Sequence, residues 1–94
     1  MPRTDKLSEY RTTWFNDGDK GGVTYVRTQI VSWTHDTVTL NSGGYETVTT
    51  KRKMNQAANQ FALGFSVYQQ DFQWYVRDRQ GNVHDFHDGI TLRR

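Results

Sequence analysis

A glycine-rich turn leads into a stretch that opens with three cations. Asn41-Ser42-Gly43-Gly44 precedes Thr47-Val48-Thr49-Thr50, and Lys51, Arg52 and Lys53 follow in consecutive positions. A helix start carries unpaired N–H groups and partial positive charge, so cations there oppose the macrodipole and acids would be the stabilising choice. A phosphate or nucleic-acid anion held by Ser42, Gly43, Gly44, Thr49, Thr50 and Lys51 would turn that opposition into attraction. The same residues also suit a threonine-capped helix whose basic side chains are simply solvated. No Gly-Lys-Ser/Thr follows at Walker spacing, which removes the ground for ATP hydrolysis.

Two further groups of side chains could recognise a partner. On the outer face of the same helix stand Arg52, Gln56, Asn59 and Gln60, with Asn55 at the border of the buried stripe. Amides donate and accept hydrogen bonds without adding a field, which fits a polar partner surface or plain solubility. The candidate partner surface is therefore Tyr45, Lys51, Arg52, Lys53, Asn55, Gln56 and Asn59, exposed around the helix start. The second group is Tyr68, Tyr75 and Arg77, placed by alternation on one face of a hairpin. Such a face can stack bases, anchor a protein interface, or lie packed beneath the helix.

Catalytic and metal chemistry find little support. His84-Asp85-Phe86-His87-Asp88 holds ligand-type residues, yet strand alternation sends His84 and Asp88 one way and Asp85 and His87 the other. Asp17-Gly18-Asp19 lacks the downstream Glu of a calcium loop. Ser32, Ser42 and Ser66 sit in no nucleophile-elbow context, and no two acids are placed so that burial would separate their pKa values. The expectation is a protein without catalytic residues, metal or cofactor.

These groups must be positioned by a small chain. The 94 residues are 34% hydrophobic, with 5 Tyr, 5 Phe and 3 Trp supplying the large rings of a thin core. Zero cysteines remove disulfides and thiolate sites together. Twelve basic against ten acidic side chains give a net charge of +2, too near neutral for a bulk electrostatic binder. No apolar run is long enough to span a membrane, and the polar start does not resemble a signal peptide.

The expected fold is a single α+β domain over 1–94, with 1–10 a flexible arm that carries a turn of helix near its end. An antiparallel sheet, with strands before and after, packs on one helix at about residues 50–63. Strands are expected at Arg11 to Asn16, Val23 to Trp33 and Thr37 to Leu40, the last two forming a hairpin. Asp17 to Gly22, with three glycines, reads as a loop. Met54, Ala57, Ala58, Phe61 and Ala62 form one apolar helical stripe, capped by Thr49 or Thr50 and ended by a left-handed Gly64. Phe65 to Gln70 and Phe72 to Arg77 pair as a second hairpin, with Phe65, Val67, Phe72, Trp74 and Val76 facing inward. Gln80-Gly81-Asn82 turns into edge strands at Val83 to Phe86 and Ile90 to Leu92. The latter could pair between copies, so monomer and homodimer both stay open.

LNSGGYETVTTKRKMNQ and FALGFSVYQQDFQWYV, with TYVRTQIV before them, resemble a family of small bacteriophage-encoded proteins. The likeness spans Val23 to Val76 and rests on Leu40 to Tyr45, Thr49 to Lys53, Met54 to Gln56, Gly64 to Gln69 and Trp74 to Val76. Ala62 stands where the family more often has glycine, a change expected to firm the helix end. The resemblance implies a non-enzymatic accessory protein acting in the cytoplasm of the infected bacterium. By analogy it would bind a host protein or nucleoprotein complex, as anti-CRISPR-like and other anti-defence inhibitors do. Direct nucleic-acid or nucleotide binding through the glycine loop and basic helix start is the alternative.

Overall fold

The first strand, β1 (Thr12–Asp17), turns at Gly18-Asp19 into β2 (Lys20–Tyr25). This is a computed structural model, and it describes residues 12–44 and 47–94. The arm at 1–10, Arg11 and Tyr45 lie outside the described residues. The glycine loop expected over Asp17 to Gly22 is mostly strand. Gly21 pairs with Trp33 in the neighbouring strand, and a Cβ at Gly21 would run into that indole ring and the Phe15 carbonyl. Glycine here makes room for a tryptophan instead of making a turn.

The expected run from Val23 to Trp33 divides in two. β2 ends at Tyr25, Val26-Arg27 turns the chain, and β3 (Thr28–Trp33) pairs back antiparallel. Val26 takes φ 60, a left-handed conformation that a β-branched residue seldom adopts, so composition gives no sign of the turn. A register shift at Val23/Thr24 lets both Ile30 and Val31 be buried. Beyond it, β4 (Thr37–Leu40) pairs with β3 as expected.

The helix α1 (Val48–Phe61) starts and stops two residues before the expected limits. Its cap is Thr47, whose hydroxyl accepts from the Thr50 N–H at 3.2 Å. The left-handed residue that ends it is Ala62, φ 55, well before Gly64. Ala62 therefore does not firm the helix end, since a Cβ in this conformation costs about 1–2 kcal/mol that glycine avoids. The Leu63 N–H bonds back to the Ala58 carbonyl at 3.0 Å, and Arg79 donates to the Ala62 carbonyl at 3.1 Å. That guanidinium brings a cation to the negative end of the dipole from another part of the chain.

After the helix come β5 (Ser66–Gln70), β6 (Gln73–Arg77), β7 (Val83–Asp85) and β8 (Ile90–Arg93). The α+β class holds, with two antiparallel sheets in place of one: β1-β2-β3-β4-β8 and β5-β6-β7. The last strand crosses back to β4, where Thr39 and Thr91 face each other at 3.0 Å between hydroxyls. The buried residues of both sheets and the helix make one contiguous core, built on Val23, Val31, Leu40, Met54, Val76 and their neighbours. Trp33 meets Phe61 at 4.8 Å, and Trp74 meets Phe86 edge-on at 5.4 Å. Each fully buried aliphatic side chain contributes about 1.5–3 kcal/mol. The buried rings of Trp33, Phe65 and Trp74, with Trp14, Tyr25, Phe61 and Phe86 packed against them, complete this core.

Candidate functional site

The glycine loop already holds an anion, and it belongs to the protein itself. Ser42 is buried, and both its N–H and its hydroxyl donate to Asp88, at 2.8 and 2.7 Å. The Gly43 N–H donates to Asn41 at 2.7 Å and the Gly44 N–H to the Ser42 hydroxyl at 3.2 Å. All three amides expected to cradle a phosphate thus have internal partners, and a carboxylate from the β7–β8 connection occupies the position. Thr50 is buried beside the Thr47 cap, and Thr49 is exposed. The threonine-capped reading is the one the coordinates favour.

The three cations diverge. Successive helical residues project about 100° apart, so consecutive side chains cannot converge on one ligand. Lys51 is half-buried, its Nζ lying 5.9 Å from the centre of the Trp74 ring in β6. Arg52 is exposed. Lys53 is buried, with Nζ 5.1 Å from the Tyr25 ring of β2. Burial pushes the Lys53 ammonium below the ordinary lysine value, because the charged form loses hydration. The expectation of three solvent-facing cations is therefore corrected. Arg52 alone faces solvent fully, while the two lysines lay cations on rings of opposite sheets and hold the helix start between them.

Asn55 is likewise structural. Its side-chain amide donates to the Val67 carbonyl at 2.9 Å, and its oxygen accepts from the Val67 N–H at 2.8 Å. β5 is an edge of the three-stranded sheet, and Asn55 serves Val67 as one residue's worth of neighbouring strand. Gln56 is half-buried and Asn59 exposed. Tyr45 completes the expected surface in sequence and lies outside the described residues.

The histidine segment is also engaged internally. His84 Nε2 lies 2.9 Å from a carboxylate oxygen of Asp78, whose other oxygen accepts from the Gln80 and Asn82 N–H groups, both at 2.9 Å. The His84 contact foremost, with those two amides, holds the Asp78 carboxyl below the ordinary carboxylate value. His87 approaches the Asp88 carbonyl at 3.2 Å. Among the described residues, no three His, Cys, Asp or Glu side chains gather as metal ligands.

The outer face of β5–β6–β7 carries the half-buried Tyr68 and Tyr75 and the exposed Arg77. Tyr68 and Tyr75 stand opposite each other in register and stack with ring centres 5.6 Å apart. The Arg77 guanidinium lies 6.0 Å from the Tyr68 ring. The helix does not cover this face; it packs against the edge and inner side, where Val67, Trp74 and Val76 are buried. Alternation placed Tyr68, Tyr75 and Arg77 correctly, but not Phe72. Asp71 and Phe72 form the two-residue turn between β5 and β6, at φ 52 and 66, and Phe72 is 96% exposed. Pairing of Gln70 with Gln73 fixes that turn and takes Phe72 out of the inward-facing set. The end of the first strand at Gln70 is as expected; the second strand begins at Gln73 and not at Phe72.

No helix among the described residues is long and apolar enough to cross a membrane. No curated protein matches the chain, and no solved structure matches it. A family profile does, over residues 2–93, and it takes in the glycine loop, the helix and the second hairpin together. Covering nearly the whole sequence, that match places the chain in the Kyanoviridae Gp96 protein family, a family of phage proteins.

Proposed function

We propose that this phage protein is a non-enzymatic accessory factor that binds a host protein, alone or within a nucleoprotein complex, in the cytoplasm of the infected cell. An anti-defence inhibitor is one role of that kind. The docking surface is the outer face of β5–β7. The observation that carries the reading is the Tyr68–Tyr75 stack with Arg77 beside it, on the sheet face opposite the buried Val67, Trp74 and Val76. Tyrosine and arginine are the residue types that concentrate binding energy at protein interfaces. The groups with catalytic or phosphate-binding chemistry support it indirectly, since Ser42 and His84 are held by Asp88 and Asp78.

Charge favours protein over nucleic acid as the direct contact. Arg77 shares the outer face with Asp85, which pairs in register with Tyr75, so the face has no cationic excess to draw phosphates. The test is capture from phage-infected host lysate, with and without nuclease. Wild-type protein should retain a host protein after nuclease. A Tyr68→Ser/Tyr75→Ser variant that keeps its circular-dichroism spectrum should lose it, and Arg52→Glu should not. Capture that disappears with nuclease, or that Arg52→Glu abolishes while the tyrosine variant retains it, would overturn the proposal.

A further inference from the structure

We infer that Phe72 is the anchor of this docking surface: a ring carried at the hairpin tip to enter an apolar pocket of a protein partner, with Asp71 meeting a basic group at the pocket rim. The inference rests on the reading of the β5–β7 face as a binding surface and names the residue that leads it.

Phe72 does nothing for its own fold. At 96% exposure it is almost wholly free of the described residues, although it is one of the largest apolar side chains in the protein. Its backbone is also in the wrong conformation for it. With φ 52 and 66 at the two central positions, the turn is of the kind that takes glycine at the second position, and Asp71-Gly would satisfy it without strain. Local backbone preference and solvation both oppose a phenylalanine here. Burial against another molecule is the condition under which the ring becomes favourable.

The surroundings describe the pocket. Behind the tip, Gln70 pairs with Gln73, and behind them Tyr68 with Tyr75, so the ring leads a short polar collar and then an aromatic pair. An apolar anchor inside a polar rim is how interface hot spots are arranged. Between Gln69 and Trp74 the one charged side chain is Asp71, immediately beside the ring. Arg77 sits at the far end of β6, five residues from Phe72, or about 17 Å along the strand. A wedge between nucleic-acid bases needs cations beside it to meet the phosphates, and a carboxylate there is repelled. The same carboxylate complements Lys or Arg at the mouth of a protein pocket.

The experiment places the photoreactive analogue p-benzoylphenylalanine at position 72, and separately at position 75, in protein expressed in infected host cells. After irradiation, the position 72 probe should join a host protein at apolar residues flanked by Lys or Arg. Excess wild-type protein should suppress that product. Phe72→Gly, which relieves the turn and leaves the core intact, should compete about thirty-fold less well, as expected for loss of a hot-spot ring. Attachment to nucleic acid or to a second copy of this chain would overturn the inference, as would equal competition by Phe72→Gly. A product from position 75 with none from position 72 would overturn the anchor and leave the surface reading standing. No product from either position would overturn both.

Discussion

Replacing Asn55 with alanine separates a recognition residue from a structural one. The side chain makes two hydrogen bonds to one backbone residue, at 2.9 and 2.8 Å, on the edge of the three-stranded sheet. Each such bond contributes a net ~0.5–1.5 kcal/mol, and more where the abandoned group cannot reach water. Two bonds at a partly buried edge therefore give about 2–3 kcal/mol. Alanine returns up to ~0.7 kcal/mol through its better helix propensity, leaving a loss of about 2 kcal/mol. For a domain of this size each kcal/mol moves Tm by ~4–8 °C, so Asn55→Ala should melt about 8–16 °C lower. Asn59→Ala, at an exposed amide one turn further on, should match wild type or exceed it by up to ~0.7 kcal/mol. Thermal melts of both variants give the difference, and amide exchange at Val67 reports the bond directly. Equal melting of the two variants, with Val67 still protected in Asn55→Ala, would refute the structural role and return Asn55 to the pool of surface contacts.

Three other outcomes follow from the coordinates. Ala62→Gly should raise stability by roughly 0.5–1 kcal/mol, because relief of the left-handed strain outweighs the added chain entropy; urea titration checks it. Gly21→Ala should lower stability by about 1–3 kcal/mol, because its methyl group meets the Trp33 ring and the Phe15 carbonyl, and tryptophan fluorescence should shift with it. The third outcome concerns pH. The Asp78 carboxyl is held below its ordinary value of 3.8, so its stabilisation is complete above that pH and disappears as pH falls through the lower folded value. Amide protection at Gln80 and Asn82 should fade together in that acid range, and Asp78→Asn should reduce their protection already at neutral pH.

Much of the architecture was legible from periodicity. The spacing of Met54, Ala57 and Ala58 located the helix, and alternation put Tyr68, Tyr75 and Arg77 on one face with Val67, Trp74 and Val76 on the other. Local pattern also held the clue to Lys53. Thr50, Lys53, Met54, Ala57 and Ala58 are the helix's buried residues, and Lys53 falls on that stripe by spacing alone. The tight turn at Val26-Arg27 was hidden, and the turn expected between Gln70 and Phe72 takes in Phe72 itself, because Val26 and Phe72 adopt left-handed conformations that composition associates with glycine or asparagine.

The sequence by itself determined the class, the helix, the pairing of β3 with β4 and of β5 with β6, and the membership of a phage family. Those features depend on short-range periodicity and on motifs that contiguous residues carry. Tertiary structure alone decided which chemistry remained available. Asp88 reaches Ser42 from 46 residues away and fills the anion position. Asn55 finds Val67 twelve residues on, and Arg79 closes a helix seventeen residues before it. Polar groups near a core must be satisfied from within the molecule, and which partner satisfies them depends on proximity that spacing along the chain does not encode. Phe72 at its exposed turn and the Tyr68–Tyr75 stack are the side chains of the proposed docking surface.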